Sequence, residues 1–191
     1  MINRKLLDKI YNKHVKRLKN RSIKNKKLLI CFGAVPASGK SYISKILETK
    51  YKGIRISTEE IGKIINSLKQ RNKKEILDEY LYYYLREHCY PNGLIILDAS
   101  IDRRYEDVFL AATDAGFDLF IININVSRKT IIERIRRRNK RGAKSYFKEM
   151  NRWYREHKLF KDKVIVDIAI SNETELNLAH LFMKLDRKLK K

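Results

Sequence analysis

The stretch that decides the fold runs from Leu28 to Ser41 and reads LLICFGAVPASGKS. Its first half is an apolar run with the length of a β-strand. Its second half is a short loop of small residues that ends in Gly39-Lys40-Ser41, and a helical pattern begins directly after it. A strand, a small-residue loop and a helix in this order are typical of a phosphate-binding P-loop.

Each part of this loop is suited to holding phosphate groups. Small residues let the backbone wrap closely around phosphate oxygens, so that successive N–H groups point inward, and the helix adds the positive end of its dipole. We expect Lys40 to reach the β- and γ-phosphates of a nucleotide and the Ser41 hydroxyl to ligate Mg²⁺. The residues predicted to contact the nucleotide here are Gly33, Ala34, Ala37, Ser38, Gly39, Lys40, Ser41 and Tyr42.

The loop departs from the usual spacing at one position. In the usual pattern four residues separate a first glycine from Gly-Lys-Ser, whereas this chain has Ala34 at the position of that glycine and Gly33 one residue earlier. The alternative interpretation is a strand–turn–helix corner without a ligand. We favour the phosphate loop, because the strand and the helix are both present and the alanine removes neither Lys40 nor Ser41.

Composition is that of a globular chain with a large excess of basic residues. The chain has 191 residues, 43% of them hydrophobic, which is enough for one ordinary domain with a full core. Its 44 Lys and Arg against 22 Asp and Glu give a formal net charge of +22 at pH 7. This charge suits RNA or DNA as a partner, but coding bias in an A/T-rich genome would also enrich the chain in Lys, Ile and Asn. The sequence leaves both explanations open.

No apolar segment has the character of a secretory signal or a membrane span. We therefore expect a cytoplasmic protein without a membrane partner. Cys31 lies in the apolar run, and neither it nor Cys89 has metal-ligand spacing, so we expect neither a disulfide nor a zinc site.

Five apolar strands alternate with helical patterns, which predicts a parallel sheet with helices on both faces. The predicted strands cover residues 27–33, 54–57, 94–98, 119–124 and 164–170. The predicted helices cover residues 40–50, 73–89, 102–115, 127–139 and 145–159, with one more from Thr58 and a closing helix to about 188. Residues 27–191 are predicted to form one domain.

Residues 1–26 are predicted to form an amphipathic basic helix that belongs to the same domain. Its apolar residues are Ile2, Leu6, Ile10, Val15 and Leu18. The helix can pack this stripe on the main domain or place its basic face on phosphate backbones. We favour packing, although the helix can pack its apolar stripe and bind phosphate backbones with its basic face at the same time.

Two acidic positions follow predicted strands at the edge where ligands bind in such sheets. Asp98 ends a buried strand, and if that strand neighbours the P-loop strand, its carboxylate lies near the phosphates and Mg²⁺. Glu59 and Glu60 follow the second strand, and one of them could accept the proton of an attacking hydroxyl. The alternatives are a turn-capping role for Asp98 and ordinary first-turn acids for the glutamates.

The basic segment 134–142 is predicted to form a helical lid that runs into a glycine-containing loop. Phosphoryl transfer spreads negative charge over the transferring oxygens, and a mobile arginine can stabilise that charge. Most of these cations are expected to be solvated, and we single out Arg141 and, after it, Arg137. The four histidines have no neighbours at catalytic or metal spacing, so we assign them no role.

Four segments together resemble the P-loop kinase family that includes polynucleotide 5′-hydroxyl kinases and zeta-toxin-like kinases. The resemblance runs over about residues 27–175. Its segments are the loop 33–41, the strand-then-acid segment 56–61, the strand 95–100 with Arg103-Arg104 after it, and the lid-like 137–144. The last of these, with Arg141 before a glycine, is similar to phage-type polynucleotide kinases.

The resemblance implies a three-layer α/β fold of the P-loop NTPase type and a Mg²⁺-dependent phosphotransferase that uses ATP or GTP. It implies that Glu59 stands where the family has an aspartate general base, and that Ser171 and Asn172 lie near the nucleotide base. The family's arginine that helps to hold the acceptor phosphate aligns with Gly62, beside Lys63. The nucleotide half of the site therefore matches the family better than the acceptor half.

The sequence thus predicts a kinase with Lys40, Glu59, Asp98 and Arg141 as catalytic residues and Ser41 and Asp98 at the metal. The favoured acceptor is the 5′-hydroxyl of RNA or DNA. The alternatives are a kinase for a nucleoside, a nucleotide or another small hydroxyl compound, and a non-catalytic nucleotide-dependent RNA-binding module. The oligomeric state is left open.

Overall fold

One parallel sheet of five strands forms the centre of the computed structural model, which describes residues 2–15, 27–88, 93–138, 143–171 and 178–190. The strands are β1 (Leu28–Gly33), β2 (Ile54–Ser57), β3 (Leu94–Ser100), β4 (Asp118–Asn125) and β5 (Ile168–Ser171). Their spatial order is β2-β3-β1-β4-β5, and every neighbouring pair is parallel. The predicted fold class is confirmed, and β3 with Asp98 lies directly beside the P-loop strand β1.

Helices cover both faces of this sheet. They are α1 (Arg4–Val15), α2 (Lys40–Tyr51), α3 (Thr58–Ser67), α4 (Lys73–Tyr83), α5 (Tyr105–Asp114), α6 (Arg128–Arg138), α7 (Ala143–Lys163) and α8 (Ala179–Lys190). A π-helical turn, Tyr84–His88, extends α4. Each described helix is too short or too polar to span a lipid bilayer.

Alternation of side chains along β1 divides the core into two clusters, because successive strand residues point to opposite faces. Leu28, Ile30 and Phe32 pack with residues of α2 and α8 on one face. Leu29 and Cys31 lie on the other face, with residues of α1, α3, α4 and α5 and with Phe160 of α7. The central strand is therefore apolar on both sides, as its continuous hydrophobic run predicts.

Helix α1 packs on the main domain through its apolar stripe. Leu7 and Ile10 are buried in the same cluster as the sheet residues, and α1 contacts α3 and α4. Residues 16–26, which complete the predicted basic helix, lie outside the described residues.

The last strand is shorter than its apolar pattern predicts. The run 164–170 was expected to be a strand throughout, but α7 continues to Lys163 and β5 begins at Ile168. Ile165 is 95% exposed, so the run is not buried over its whole length. Asp167, in the segment between α7 and β5, is held to β4, because its amide donates to Ile121 O at 3.0 Å and its carboxylate accepts from Ile121 N at 2.7 Å.

Candidate active site

The P-loop, residues 33–41, links β1 to α2 at the carboxyl edge of the sheet. Two of its residues have left-handed backbone, Ala37 with φ 65° and Gly39 with φ 97°. Gly39 is the residue before α2 and suits this conformation, whereas Ala37 carries a cost of about 1–2 kcal/mol. Ala34, which replaces the expected glycine, lies outside this region and is buried as a member of the core cluster that includes Phe32 and Ile43, so an alanine fits there.

Helix α7 packs against the start of the P-loop. A Cβ at Gly33 would overlap the ring of Phe160, so this position requires glycine. The next amide, Ala34 N–H, donates to Asp102 Oδ1 at 3.0 Å, and Asp102 Oδ2 lies 2.9 Å from His157 Nδ1. Asp102 and His157 are both buried, and they couple α7 to the backbone of the P-loop.

Ser41 and Asp98 meet at the beginning of α2. The Ser41 hydroxyl donates to Asp98 Oδ1 at 2.9 Å, and the second oxygen of Asp98 accepts from Arg55 Nη1 at 2.6 Å. Asp98 is 4% exposed, so its carboxylate is held in a fixed position between these two partners. The contact exists because β3 is the neighbour of β1 in the sheet.

Arg55 is the centre of a buried ionic network that sequence reasoning missed. Its guanidinium contacts Asp98 of β3, Glu48 of α2 at 2.9 Å and Glu60 of α3. Burial by itself lowers the pKa of Arg55, but the hydrogen bond with Glu48 and the charges of Glu60 and Asp98 raise it above the usual value. The sequence signal was an arginine between two isoleucines in a predicted strand, where a charge needs a buried partner.

Glu59 and Glu60 have different surroundings. Glu60 pairs with Arg55, and its amide donates to the Ser57 hydroxyl that caps α3. Glu59 is 75% exposed and accepts from Lys63 Nζ at 2.7 Å. The hydrogen bond and charge of Lys63 hold the pKa of Glu59 below its usual range. Of the two carboxylates, Glu59 is the one beside the phosphate-loop cavity.

A cavity of about 400 Å³ brings the predicted residues Lys40, Ser41, Glu59 and Asp98 together. Ile135 of α6 and Tyr146 of α7 also line it, so the predicted lid helix α6 and the following helix α7 both border this space. The remaining lining residues are Ala34, Pro36, Ala37, Ser57, Thr58 and Ser100.

The oxygen donors in this cavity fit Mg²⁺. Ser41 and Asp98 supply a hydroxyl and a carboxylate, and within the described ranges no group of three or more His, Cys, Asp or Glu residues could form a protein cage for a metal. Mg²⁺ in kinases is usually held by one or two protein groups, with water and substrate phosphates completing the octahedron. This donor set therefore suits magnesium that arrives with a nucleotide.

A second cavity, of about 600 Å³, lies beside the first and shares Thr58 and Ser100 with it. Its floor is apolar and includes Leu29, Ile56 and Leu97 of the sheet. Charged side chains also line it: Lys74, Asp78, Arg103, Arg104, Asp107 and Arg152. We call this space the second cavity.

The lid contributes an arginine that differs from the two singled out in the sequence. Arg134 Nη1 donates to the carbonyl oxygens of Ser38 at 3.1 Å and Ala37 at 3.4 Å. Arg137 lies on α6 and is exposed, and Arg141 lies outside the described residues. Arg134 was one of several cations in the predicted lid, and nothing in the charge run distinguished it.

Two further predicted nucleotide contacts, Tyr42 and Ser171, do not line the phosphate-loop cavity. The side chain of Tyr42 is exposed. Ser171 ends β5 and lines a separate cavity of about 480 Å³ with Asn125, Ser127 and Lys158, and Asn172 lies outside the described residues.

Solved structures of other proteins resemble this fold at low sequence identity. A candidate kinase from Chloroflexus aurantiacus matches over 88% of this chain and 98% of its own, with a TM-score of 0.54 and 16% identity. A chain from the PezAT chromosomal toxin–antitoxin system of Streptococcus pneumoniae matches over 87% and 76%, with a TM-score of 0.59 and 10% identity. A gluconokinase from Sinorhizobium meliloti gives a TM-score of 0.48 at 12% identity over 88% and 94%.

At these identities the likeness defines the fold and nothing finer: the chain has the α/β fold of P-loop kinases. No protein-family model matches the sequence, and no curated protein matches it.

Proposed function

We propose that this protein is a Mg²⁺-dependent kinase that transfers the γ-phosphate of ATP or GTP to the 5′-hydroxyl of an RNA or DNA end. The observation that carries the proposal is the pair of adjoining cavities. One presents Lys40, Ser41 and Asp98 beside a phosphate-binding loop, and the other extends from it through Thr58 and Ser100. A donor site that continues into a separate acceptor site is what transfer between two bound substrates requires.

In this proposal the acceptor oxygen forms a bond to the γ-phosphorus, and the bond from that phosphorus to the β–γ bridging oxygen breaks. Glu59 takes the hydroxyl proton, and the nucleoside diphosphate leaves. Lys40 and Arg141 stabilise the charge on the transferring group. Ser41 and Asp98 would hold Mg²⁺, which would neutralise negative charge on the phosphate oxygens. Arg55 fixes Asp98, and Arg134 fixes the P-loop backbone.

The size and lining of the second cavity support an RNA or DNA end as the acceptor. About 600 Å³ is within the range of small-ligand pockets and accommodates one nucleoside rather than a length of polynucleotide. Its apolar floor favours a planar base. The net charge of +22 favours an acceptor that continues as a polyanion outside the cavity.

A free nucleoside, nucleotide or other small hydroxyl compound is the second candidate acceptor. The observation in its favour is the limited size of the second cavity. Helices α4 and α5 both border it, and about 600 Å³ is enough for one such molecule.

The test is transfer of label from γ-labelled ATP and GTP, with Mg²⁺, to a panel of acceptors. The panel holds RNA and DNA oligonucleotides with a 5′-hydroxyl, the same oligonucleotides with a 5′-phosphate, and nucleosides. The proposal predicts label on the 5′-hydroxyl oligonucleotides and none on the 5′-phosphorylated controls. Label on nucleosides alone supports the second candidate. Nucleotide binding without transfer to any acceptor contradicts both and favours the RNA-binding module.

A further inference from the structure

A buried carboxylate, Asp102, contacts the backbone of the P-loop from the turn between β3 and α5. Its side chain is 6% exposed, and its two oxygens contact different elements. Oδ1 accepts from Ala34 N–H at 3.0 Å, and Oδ2 lies 2.9 Å from His157 Nδ1 on α7. Because a buried charge is costly without partners, these two contacts together keep the carboxylate in this position.

The turn that carries Asp102 is anchored on both sides of this residue. Before it, Ile101 N–H donates to Phe32 O at the end of β1 at 3.0 Å. After it, Arg103 Nε lies 3.4 Å from Glu156 Oε2 of α7. The turn is therefore fixed relative to both β1 and α7, and Asp102 meets the P-loop at a defined place.

His157 is held by a neighbour on its own helix. Its ring lies nearly parallel to the ring of Phe160, with 6.3 Å between the centroids and 16° between the planes. Phe160 in turn fills the space that a Cβ at Gly33 would need. One turn of α7 thus supports two successive residues of the loop, Gly33 by packing and Ala34 through Asp102.

The amide of Ala34 has an unusual partner for its position. In a phosphate-binding loop, successive backbone N–H groups point toward the phosphate oxygens. At the position of the usual first glycine, this chain instead directs the N–H group to a carboxylate, so the amide supports the loop. The same loop contains the left-handed Ala37, a backbone conformation that persists in a non-glycine residue only when surrounding contacts impose it.

We propose that Asp102 and His157 are positioning residues for nucleotide binding: Asp102 fixes the Ala34 amide, and His157 fixes Asp102. This inference rests on the proposed function, since it takes the loop to bind a nucleoside triphosphate. A loop that is only partly in its binding conformation has an apparent affinity reduced by that fraction, whereas a preformed loop has its full affinity. The pair therefore raises the affinity for nucleotide, although neither residue lines the phosphate-loop cavity.

The test is equilibrium binding of ATP and of GTP, each with Mg²⁺ and without an acceptor, to the wild-type protein and to Asp102→Ala. The alanine leaves Ala34 N–H without its acceptor. The nucleotide that the wild-type protein binds more tightly is expected to bind this variant at least about fivefold more weakly, because the loop is less often in its binding conformation.

The conservative variant Asp102→Asn is expected to restore binding. It keeps an oxygen for Ala34 N–H, and its Nδ2 can donate to Nδ1 of a neutral His157, so its affinity is expected to lie within about twofold of wild type. A role confined to the stability of the fold would not produce this pattern of nucleotide affinities.

The matched control is Asp167→Ala. It also removes a carboxylate that accepts from a backbone amide, Ile121 N at 2.7 Å, but this amide lies within β4 and not in the P-loop. The control is expected to lose stability and to keep the wild-type affinity for nucleotide. Chemical denaturation checks that each variant is folded under the binding conditions.

If Asp102→Ala does not fold, His157→Phe takes its place. Phenylalanine keeps an aromatic ring beside Phe160 and loses the contact with Asp102. The expected loss of nucleotide affinity is about threefold, because Asp102 then keeps one of its two contacts.

Four results would overturn the inference. They are no nucleotide binding by the wild-type protein, no loss of affinity in the variant that breaks the contact, an equal loss in Asp102→Asn, and an equal loss in Asp167→Ala.

Label transfer judges the proposed function separately. A protein whose nucleotide affinity depends on Asp102 but which transfers no label retains the positioning pair and loses the proposed function. A protein that transfers label, with a nucleotide affinity that does not depend on Asp102, retains the proposed function and loses the pair.

Discussion

Arg55 shows how one buried side chain can organise the candidate site. It is 8% exposed, and its three carboxylate partners come from the helix of the P-loop, the helix of Glu59 and the strand of Asp98. These three elements carry the residues proposed for the nucleotide, the base and the metal. The orientation of Asp98 toward Ser41 therefore depends on a residue that lines neither of the two adjoining cavities.

Replacing Arg55 by methionine is expected to lower the free energy of unfolding by about 3–5 kcal/mol, because it leaves buried acids without their partner. Chemical denaturation measures this. The control is Arg86→Met, since Arg86 and its partner Asp114 are 50% and 39% exposed, and its loss is expected to stay below about 1 kcal/mol. Equal losses in the two variants would contradict the role of the network.

Glu59 as a general base leads to a pH prediction. Lys63 lowers the pKa of this carboxyl, so Glu59 remains ionised below the pH range of an ordinary glutamate. The acid limb of the kcat/KM profile for phosphoryl transfer is therefore expected at a lower pH than an ordinary glutamate would give. In Lys63→Met the pKa rises, and the limb is expected to move to higher pH.

The control for that measurement is Glu59→Gln, which is expected to lose most of the activity together with the acid limb. An acid limb that does not move in Lys63→Met would exclude Glu59 as the titrating base.

Sequence reasoning at the residue scale found the groups whose roles follow from local order. The position of Lys40 and Ser41 at the start of α2 follows from the P-loop pattern alone, and that of Asp98 beside them follows from the strand order. Asp102 and His157 were missed, because their contact joins residues 55 positions apart. Neither residue has a neighbour in the sequence that signals a pair.

At the scale of elements, α7 both borders the phosphate-loop cavity and supports the P-loop. Ile131 and Ile135 of α6 pack with Met150 of α7 and with Val35 of the loop. Farther along the same helix, His157 and Phe160 contact Asp102 and the position of Gly33. A movement of α6 or α7 would therefore displace the P-loop, because both helices pack against it.

The contact between Gly33 and Phe160 can be tested by a double-mutant cycle. Gly33→Ala is expected to lower the free energy of unfolding by about 1–3 kcal/mol, because its methyl group overlaps the ring. In a Phe160→Leu background the same change is expected to cost at least about 1 kcal/mol less. Thermal and chemical denaturation of the four proteins measure the coupling. Additive effects would mean that the ring does not constrain this position.

Strands β1, β3 and β4 were predictable because each is an apolar run, and β2 was predictable as a short stretch with two isoleucines between helical patterns. The start of β5 was not predictable, because the apolar run before it also includes Val164, which is buried just after the end of α7. The start of α5 was placed three residues early, since Asp102 is polar and helix-compatible but serves the P-loop from a turn.

At the scale of the whole molecule, the net charge of +22 still has two explanations, nucleic-acid binding and coding bias. Salt dependence separates them, because each neutralised phosphate of a single strand contributes about −0.7 to the slope of log Kobs against log salt. For a 5′-hydroxyl RNA of ten nucleotides we expect a slope of about −2 or steeper. A slope no steeper than that of a dinucleotide would favour coding bias.

The central claim is that the protein transfers phosphate at a site formed by Lys40, Ser41 and Asp98. The variant Lys40→Ala tests this claim most directly. Wild-type and variant proteins are compared for label transfer from γ-labelled ATP and GTP to a 5′-hydroxyl RNA, with thermal unfolding as a check of the fold. We predict labelled RNA from the wild-type protein, at least about a hundredfold less from Lys40→Ala, and similar unfolding temperatures. Equal labelling by both proteins would contradict the claim.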